Sequence, residues 1–370
     1  MKKLLFMTVI AALCASVVAL AGCSSGSSAG KGATSTSTAP TFTGAGLVGA
    51  GATFPGPVYS KWAQDFVKVE SDAKVNYQAI GSGGGVQQFT AKTVDFGATD
   101  VPLKASEAAK ITGGYIEFPT CLGAVVVAYN LPAVKTPLKL DGPTTADIFL
   151  GTIKKWDDPK IAALNPGVTL PSQPIQVVHR ADGSGTTKIF TGWLKDHSAA
   201  WGSKVGSDKS VQWPTGQGGN GNAGVAAAMK QTAGSIGYLE LQYALTTGLG
   251  MASVKAPDGS YVVPSADSVA KAANGLTFPI TETTNILDSK TPGAYPVSST
   301  TYILIYKDQT DKAKAQTLVD FWTWALTKGQ DSLSTLHYAP LPGNVQKDSL
   351  SQLGSITAAG APVAASAAVK

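Results

Sequence analysis

The chain has 370 residues, enough for two domains of ordinary size, and its 44% hydrophobic and 14% charged residues can bury a core and exclude wholesale disorder. Formal charge is +5; without the first 22 residues, which hold Lys2 and Lys3 and no acid, 27 basic face 24 acidic residues and it is +3. So small a bias, with no basic stripe interleaved with aromatics, excludes a nucleic-acid binder.

The N-terminus reads as an export signal. Lys2 and Lys3 precede a run from Leu4 to Leu20 that is apolar apart from Thr8 and Ser16. It ends in Leu20-Ala21-Gly22-Cys23, where a plain secretory signal would end in an A-x-A-like site without the cysteine. This ending looks like a bacterial lipobox, so residues 1–22 are expected to be a signal peptide cleaved before a lipidated Cys23. A simple signal peptide or an uncleaved membrane helix stays open as the alternative, since the run is about the length of a short span. Residues 24–41 are rich in Ser, Thr, Gly and Ala and nearly chargeless, so 23–43 is expected to be a flexible tether behind a lipid anchor. Cys121 is then the one cysteine of the folded part; its apolar neighbours make it a small core residue.

From about residue 45 the pattern is strand, glycine loop, helix. Strands are expected over 74–80, 94–100, 121–130, 175–180, 234–241 and 299–307. Helices are expected from 86–93, 144–153, 186–197, 224–231 and 314–329, the last with Leu318, Phe321, Trp322, Ala325 and Leu326 on one face. This alternation predicts α/β layers with mainly parallel sheets. The tail, 357–370, is expected to be disordered.

Three punctuated loops each precede a helix: "GAGATFPGPVYSKW" (49–62), "AIGSGGGVQQF" (79–89) and "HRADGSGTTKIF" (179–190). The first turn of a helix has N–H donors without partners and a partial positive charge, and an anion suits both. Thr53, Ser82, Ser184 and Thr186 add hydroxyls there. The loops either converge on one oxyanion or are three ordinary caps. Arg180, at the end of an apolar strand, could grip two oxygens of a tetrahedral anion, and Asp182 could orient it. Asp100 is discordant, because a carboxylate repels an anion unless that anion carries a proton for it to accept. Phosphate carries one at neutral pH; sulfate does not.

Catalytic readings find no support. His179, His197 and His337 show no metal-binding spacing, Ser184 lies in G-S-G rather than G-x-S-x-G, and no Walker lysine stands in the third loop. No cofactor or metal is expected.

The chain resembles the phosphate-binding protein family of bacterial Pst-type ABC importers. "GAGATFPGPVYSKW", "KVNYQAIGSGGG", "TVDFGATDVPL", "DIFLGTIKKWDDPKIAALNPG", "HRADGSGT", "GNAGVAAA" and "STTYILIYKDQ" carry the likeness, from about Gly44 to Pro342. It implies a periplasmic-binding-protein type II-like fold, with two α/β lobes joined by hinge strands and the ligand cleft between them. It implies phosphate contacts at Thr53, Phe54 (through its N–H), Ser82, Asp100, Arg180, Ser184, Gly185 and Thr186, with Asp182 orienting Arg180. The crossings fall near Pro119-Thr120 and Tyr295-Ser299, so one lobe would hold 44–119 plus about 296–335, the other 120–295 plus about 336–356. The implied role is binding inorganic phosphate outside the cytoplasmic membrane and delivering it to the permease and ATPase of an ABC importer. No catalysis, a monomeric state and a lipid anchor on a bacterial membrane go with it. A phosphate sensor or adhesin on the same fold, or a phosphatase, remain the alternatives.

Overall fold

The computed structural model describes residues 45–281 and 285–369, so the expected signal peptide, Cys23 and the tether lie outside the described residues. The first strands build a parallel ladder, with β1 (Gly46–Gly51) between β2 (Lys74–Ala79) and β3 (Phe96–Thr99). Helix α1 (Gly56–Phe66) joins β1 to β2, with Pro57 in its first turn, where a missing N–H is harmless. It buries Val58, Tyr59, Trp62 and Phe66, the spacing of one helical face. Helix α2 (Ser82–Thr90) joins β2 to β3 and starts four residues before the expected position, taking Gly83 to Gly85 into its first turn. Packing explains this, because a Cβ at Gly85 would stand 2.4 Å from Gly51 Cα and 2.7 Å from the Ala98 carbonyl. Without one, the helix lies directly on β1 and β3.

A long strand, β4 (Tyr115–Tyr129), leaves this half and enters the next, buried from Phe118 to its end. Helix α3 (Gly142–Phe149) begins two residues before its expected start because Asp141 caps it, accepting the Thr144 N–H at 2.9 Å. Then come β5 (Gln176–Arg180), α4 (Gly185–His197), β6 (Gln217–Gly219), α5 (Gly221–Gln231) and β7 (Ser235–Glu240). Strand β5 runs parallel to both β7 and β6. The chain returns to the first half through β8 (Ser298–Tyr306), followed by α6 (Lys312–Leu326) and α7 (Gly343–Leu353).

The main sheet runs β2-β1-β3-β8-β4-β7-β5-β6, with the two-residue strand Gly250–Met251 beside the end of β4. It is mixed rather than mainly parallel. Both ends are parallel, but β8 is antiparallel to β3 and to β4, and β4 is antiparallel to β7. The antiparallel middle consists of the two strands that pass between the halves. Their register shifts at Thr301/Tyr302, opposite Pro119. Proline cannot donate to the ladder, so a bulge is where a central strand tolerates it.

Each half has its own aromatic core. In the first, Trp322 of α6 lies edge-on to Tyr59 (5.4 Å), Phe96 (5.2 Å) and Phe118 (6.2 Å). In the second, Phe190 of α4 stacks on Tyr238 of β7 at 4.3 Å. Cys121 is fully buried, and burial pushes its thiol far up, as suits a core residue.

One stretch departs from expectation. Residues 357–369 are ordered rather than disordered: Thr357–Ala358 pairs with Asp308–Gln309 and turns back as Ala361–Pro362, and Val369 is buried. The Ser366 N–H reaches Asp320 Oδ1 at 2.7 Å and Gln316 donates to the Ala364 carbonyl at 2.9 Å, so α6 holds the tail with polar groups that an Ala-rich composition does not reveal. The segment 336–356 touches both halves: Asn344 donates to the Leu276 carbonyl at 2.8 Å, α7 packs on β4 and α6, and Ser349 donates to the Pro119 carbonyl at 3.2 Å.

Candidate functional site

The expected site residues meet between the two halves. All the loops that carry them leave the carboxyl ends of parallel strands: Thr53 and Phe54 after β1, Ser82 after β2, Asp100 after β3, Arg180 to Thr186 after β5. In open α/β sheets that edge is where crevices form. Thr53, Phe54, Ser82, Asp100, Arg180, Ser184, Gly185 and Thr186 are all buried.

Each donor is held by a neighbour. Thr53 and Phe54 share a planar peptide, and Tyr243 donates its hydroxyl to the Thr53 carbonyl at 2.7 Å. The N–H of a trans peptide points opposite its carbonyl, so this bond turns the Phe54 N–H the other way. Tyr338 likewise occupies the Phe54 carbonyl at 2.6 Å. Arg180 donates through Nε to Asp182 Oδ1 at 2.7 Å and through Nη2 to Asp182 Oδ2, while Nη1 reaches Thr186 Oγ1 at 3.3 Å. Asp182 Oδ1 also accepts the Gly221 N–H at 2.9 Å. Burial would raise the Asp182 carboxyl, but the guanidinium outweighs it and holds it below the usual range. Ser184 caps α4, accepting the Thr187 N–H at 3.0 Å, which leaves its hydroxyl proton to donate.

Asp100 is the acceptor in this set. Oδ1 accepts from Thr301 at 2.9 Å and Oδ2 accepts from Ser82 at 3.2 Å. Burial pushes its carboxyl up to about 7, against the Thr301 bond and the Arg180 charge.

The halves touch here. Gly185 N–H donates to Ser82 Oγ at 3.1 Å, and Gly83 N–H donates to the Gly183 carbonyl at 2.8 Å. A Cβ on Gly185 would lie 2.5 Å from Asp100 Cβ and 2.6 Å from Ser82 Oγ, so only glycine lets the third loop come this close.

Besides Tyr243 and Tyr338, two further side chains in this network were not expected. Asn222, at the start of α5, donates to Thr53 Oγ1 at 2.9 Å and to Thr186 Oγ1 at 3.4 Å, joining the halves. Its signal was present, because Gly221–Asn222 opens a helix just as the other three loops do. Thr301, by contrast, is one of four hydroxyl residues that open β8, 201 residues from Asp100, and nothing local singles it out. His179 does not face the anion loops; its ring stacks on Trp213 at 4.8 Å. Among the described residues, no group of three or more His, Cys, Asp or Glu side chains could hold a metal, and no helix is long and apolar enough to cross a membrane.

The arrangement is thus a ring of fixed donors around one guanidinium, with one buried carboxyl among them. Such a ring can strip water from a tetrahedral anion and test one of its oxygens for a proton.

Known proteins are similar to this chain in sequence and in fold. The sequence model of the PBP superfamily domain matches residues 27–328. A phosphate-binding protein PstS from Xylella fastidiosa is 44% identical over 81% of this chain and 83% of its own. One from Methanocaldococcus jannaschii is 37% identical over 96% of each. Among solved structures, a phosphate-binding protein from Stenotrophomonas maltophilia superposes with a TM-score of 0.66 at 17% identity, over 83% of this chain and 93% of that one, which shows the periplasmic-binding-protein type II-like fold. With this breadth of likeness, the chain belongs to the PstS phosphate-binding proteins of the PBP superfamily.

Proposed function

We propose that this chain binds one inorganic phosphate ion in the cleft and passes it to a phosphate ABC importer. Its PstS relatives support the reading, and the observation that carries it is Asp100, a buried carboxyl among anion donors. An ionised Asp100 beside phosphate accepts the anion's own proton as a hydrogen bond, while Arg180, Ser184, Thr186, Thr53 and the Phe54 N–H donate to the remaining oxygens, and Ser82 and the Gly185 N–H exchange their bonds to Asp100 and Ser82 for bonds to the anion. Asp182 keeps the guanidinium aimed. A fully deprotonated anion leaves two acceptors face to face.

The two lobes of the reading are 44–119 plus about 296–335, and 120–295 plus about 336–356. Strands β4 and β8 serve as the hinge, and the ligand favours the closed state because its contacts come from both lobes. The chain does no bond-breaking and acts as a monomer. Lipidation of Cys23 anchors it to a bacterial membrane on the outer side, and the tether lets it reach the permease, which the ATPase drives.

Calorimetric titration with phosphate, arsenate and sulfate tests the reading. Phosphate and arsenate, which both carry a proton, should bind and compete; sulfate should not. Equal binding of sulfate, or no heat with phosphate, would refute it.

A further inference from the structure

Two ion pairs cross between the halves beside the anion loops. The first half supplies Lys104 and Glu107, around the short helix Ala105–Ala108 between β3 and β4. The second supplies Asp208 and Lys209, in the segment between α4 and β6. Lys209 Nζ donates to Glu107 Oε1 at 2.8 Å, and Lys104 Nζ donates to Asp208 Oδ1 and Oδ2 at 2.8 and 2.7 Å. Each half thus contributes one acid and one base.

The pairs differ in burial. The Lys209 and Glu107 side chains are 8% and 23% exposed, against 38% and 48% for Lys104 and Asp208. An exposed pair contributes little; a desolvated one is costly to break, because the abandoned charge stays buried. The acid of the inner pair is also held in place from its own half. Glu107 Oε2 accepts the Lys104 N–H at 3.0 Å, which fixes the carboxylate before Lys209 arrives. Burial would raise the Glu107 carboxyl, but Lys209 and that N–H outweigh it and hold it below the usual range. On the other side, the Lys209 carbonyl accepts the Ser184 N–H at 2.8 Å. One residue therefore ties the first half to the loop that holds Ser184, Gly185 and Thr186.

We propose that Lys209 is a positioning residue of the anion site. Its ion pair with Glu107 is a latch made only when the halves close, and its carbonyl transmits that closure to the Ser184 loop. The proposal rests on the phosphate reading above. A contact present only in the closed state raises the closed population, and apparent affinity rises by the same factor.

The test uses the full chain with Lys209→Met, Glu107→Gln, the double variant and Lys209→Arg, read by phosphate titration and stopped-flow release. Lys314→Met is the control, since Lys314 pairs with Asp95 at 2.8 Å within the first half. Each latch single should weaken phosphate binding by about tenfold or more, mainly through faster release. The double should be no worse than the weaker single, Lys209→Arg should recover most of the affinity, and Lys314→Met should bind like the parent. Parental binding by Lys209→Met, or a double loss equal to the product of the singles, would overturn the latch. If Lys209→Met does not fold, Glu107→Gln carries the same test. If the parent binds no phosphate, the phosphate reading fails, and small-angle scattering of ligand-free protein decides the latch separately: a larger radius of gyration in Glu107→Gln than in the parent supports it, and equal radii overturn it.

Discussion

Asp100→Asn isolates the group that would tell phosphate from sulfate. The carboxyl is 1% exposed, with Thr301 on one oxygen and Ser82 on the other, so asparagine can keep the Thr301 bond through its own carbonyl oxygen. The amide NH2 then stands on the Ser82 side and offers a donor where the parent has an acceptor. Phosphate can meet it with an unprotonated oxygen, so its affinity should change by no more than about tenfold, the value of one net hydrogen bond. Sulfate escapes an acceptor–acceptor clash and gains a bond, together about 3 kcal/mol or on the order of 150-fold tighter binding. Calorimetric competition at neutral pH reads the ratio of the two affinities directly. A phosphate-to-sulfate ratio within about threefold of the parent's would refute the role given to Asp100.

Asp100 also carries a pH signature in the ligand-free protein. Its folded pKa of about 7 lies above its unfolded value, so the folded state binds more protons between roughly pH 4 and 7. Stability is therefore lost as pH rises through that window, on the order of 4 kcal/mol, and Asp100→Asn should flatten this part of a melting-temperature profile. Gly185→Ala should abolish tight phosphate binding, at least about 100-fold by titration, while each half keeps its own core, because the new Cβ would stand 2.5 Å from Asp100 in the closed cleft. Parental affinity would mean that the halves need not come this close. Asn222→Ala removes donors shared by Thr53 and Thr186, and phosphate binding should weaken by roughly five- to thirtyfold. Trp322→Ala should cost about 3–5 kcal/mol in denaturant unfolding, since it empties the space among Tyr59, Phe96 and Phe118.

Much of this molecule could be read locally. The helix stripe of Leu318, Phe321, Trp322, Ala325 and Leu326 is buried as its period requires. "HRADGSGT" is legible for the same reason: a strand that ends in arginine, a capping serine and glycines around it are short-range features with short-range physics. Helix starts were less secure, because caps such as Asp141, and the packing that pulls Gly83 to Gly85 into α2, act on only a few residues.

Residue types alone therefore specify the kind of group at each loop: hydroxyls, backbone N–H donors, one guanidinium and one out-of-place carboxylate. That these groups meet is a property of the folded chain. Asp100 owes its raised pKa to burial between halves, and its Thr301 partner comes from a strand 201 residues later. The order of the tail and the pairing of Lys209 with Glu107 are likewise long-range choices. Burial and closure depend on which surfaces the chain brings together through β4 and β8, and no local pattern of residue types encodes that distance.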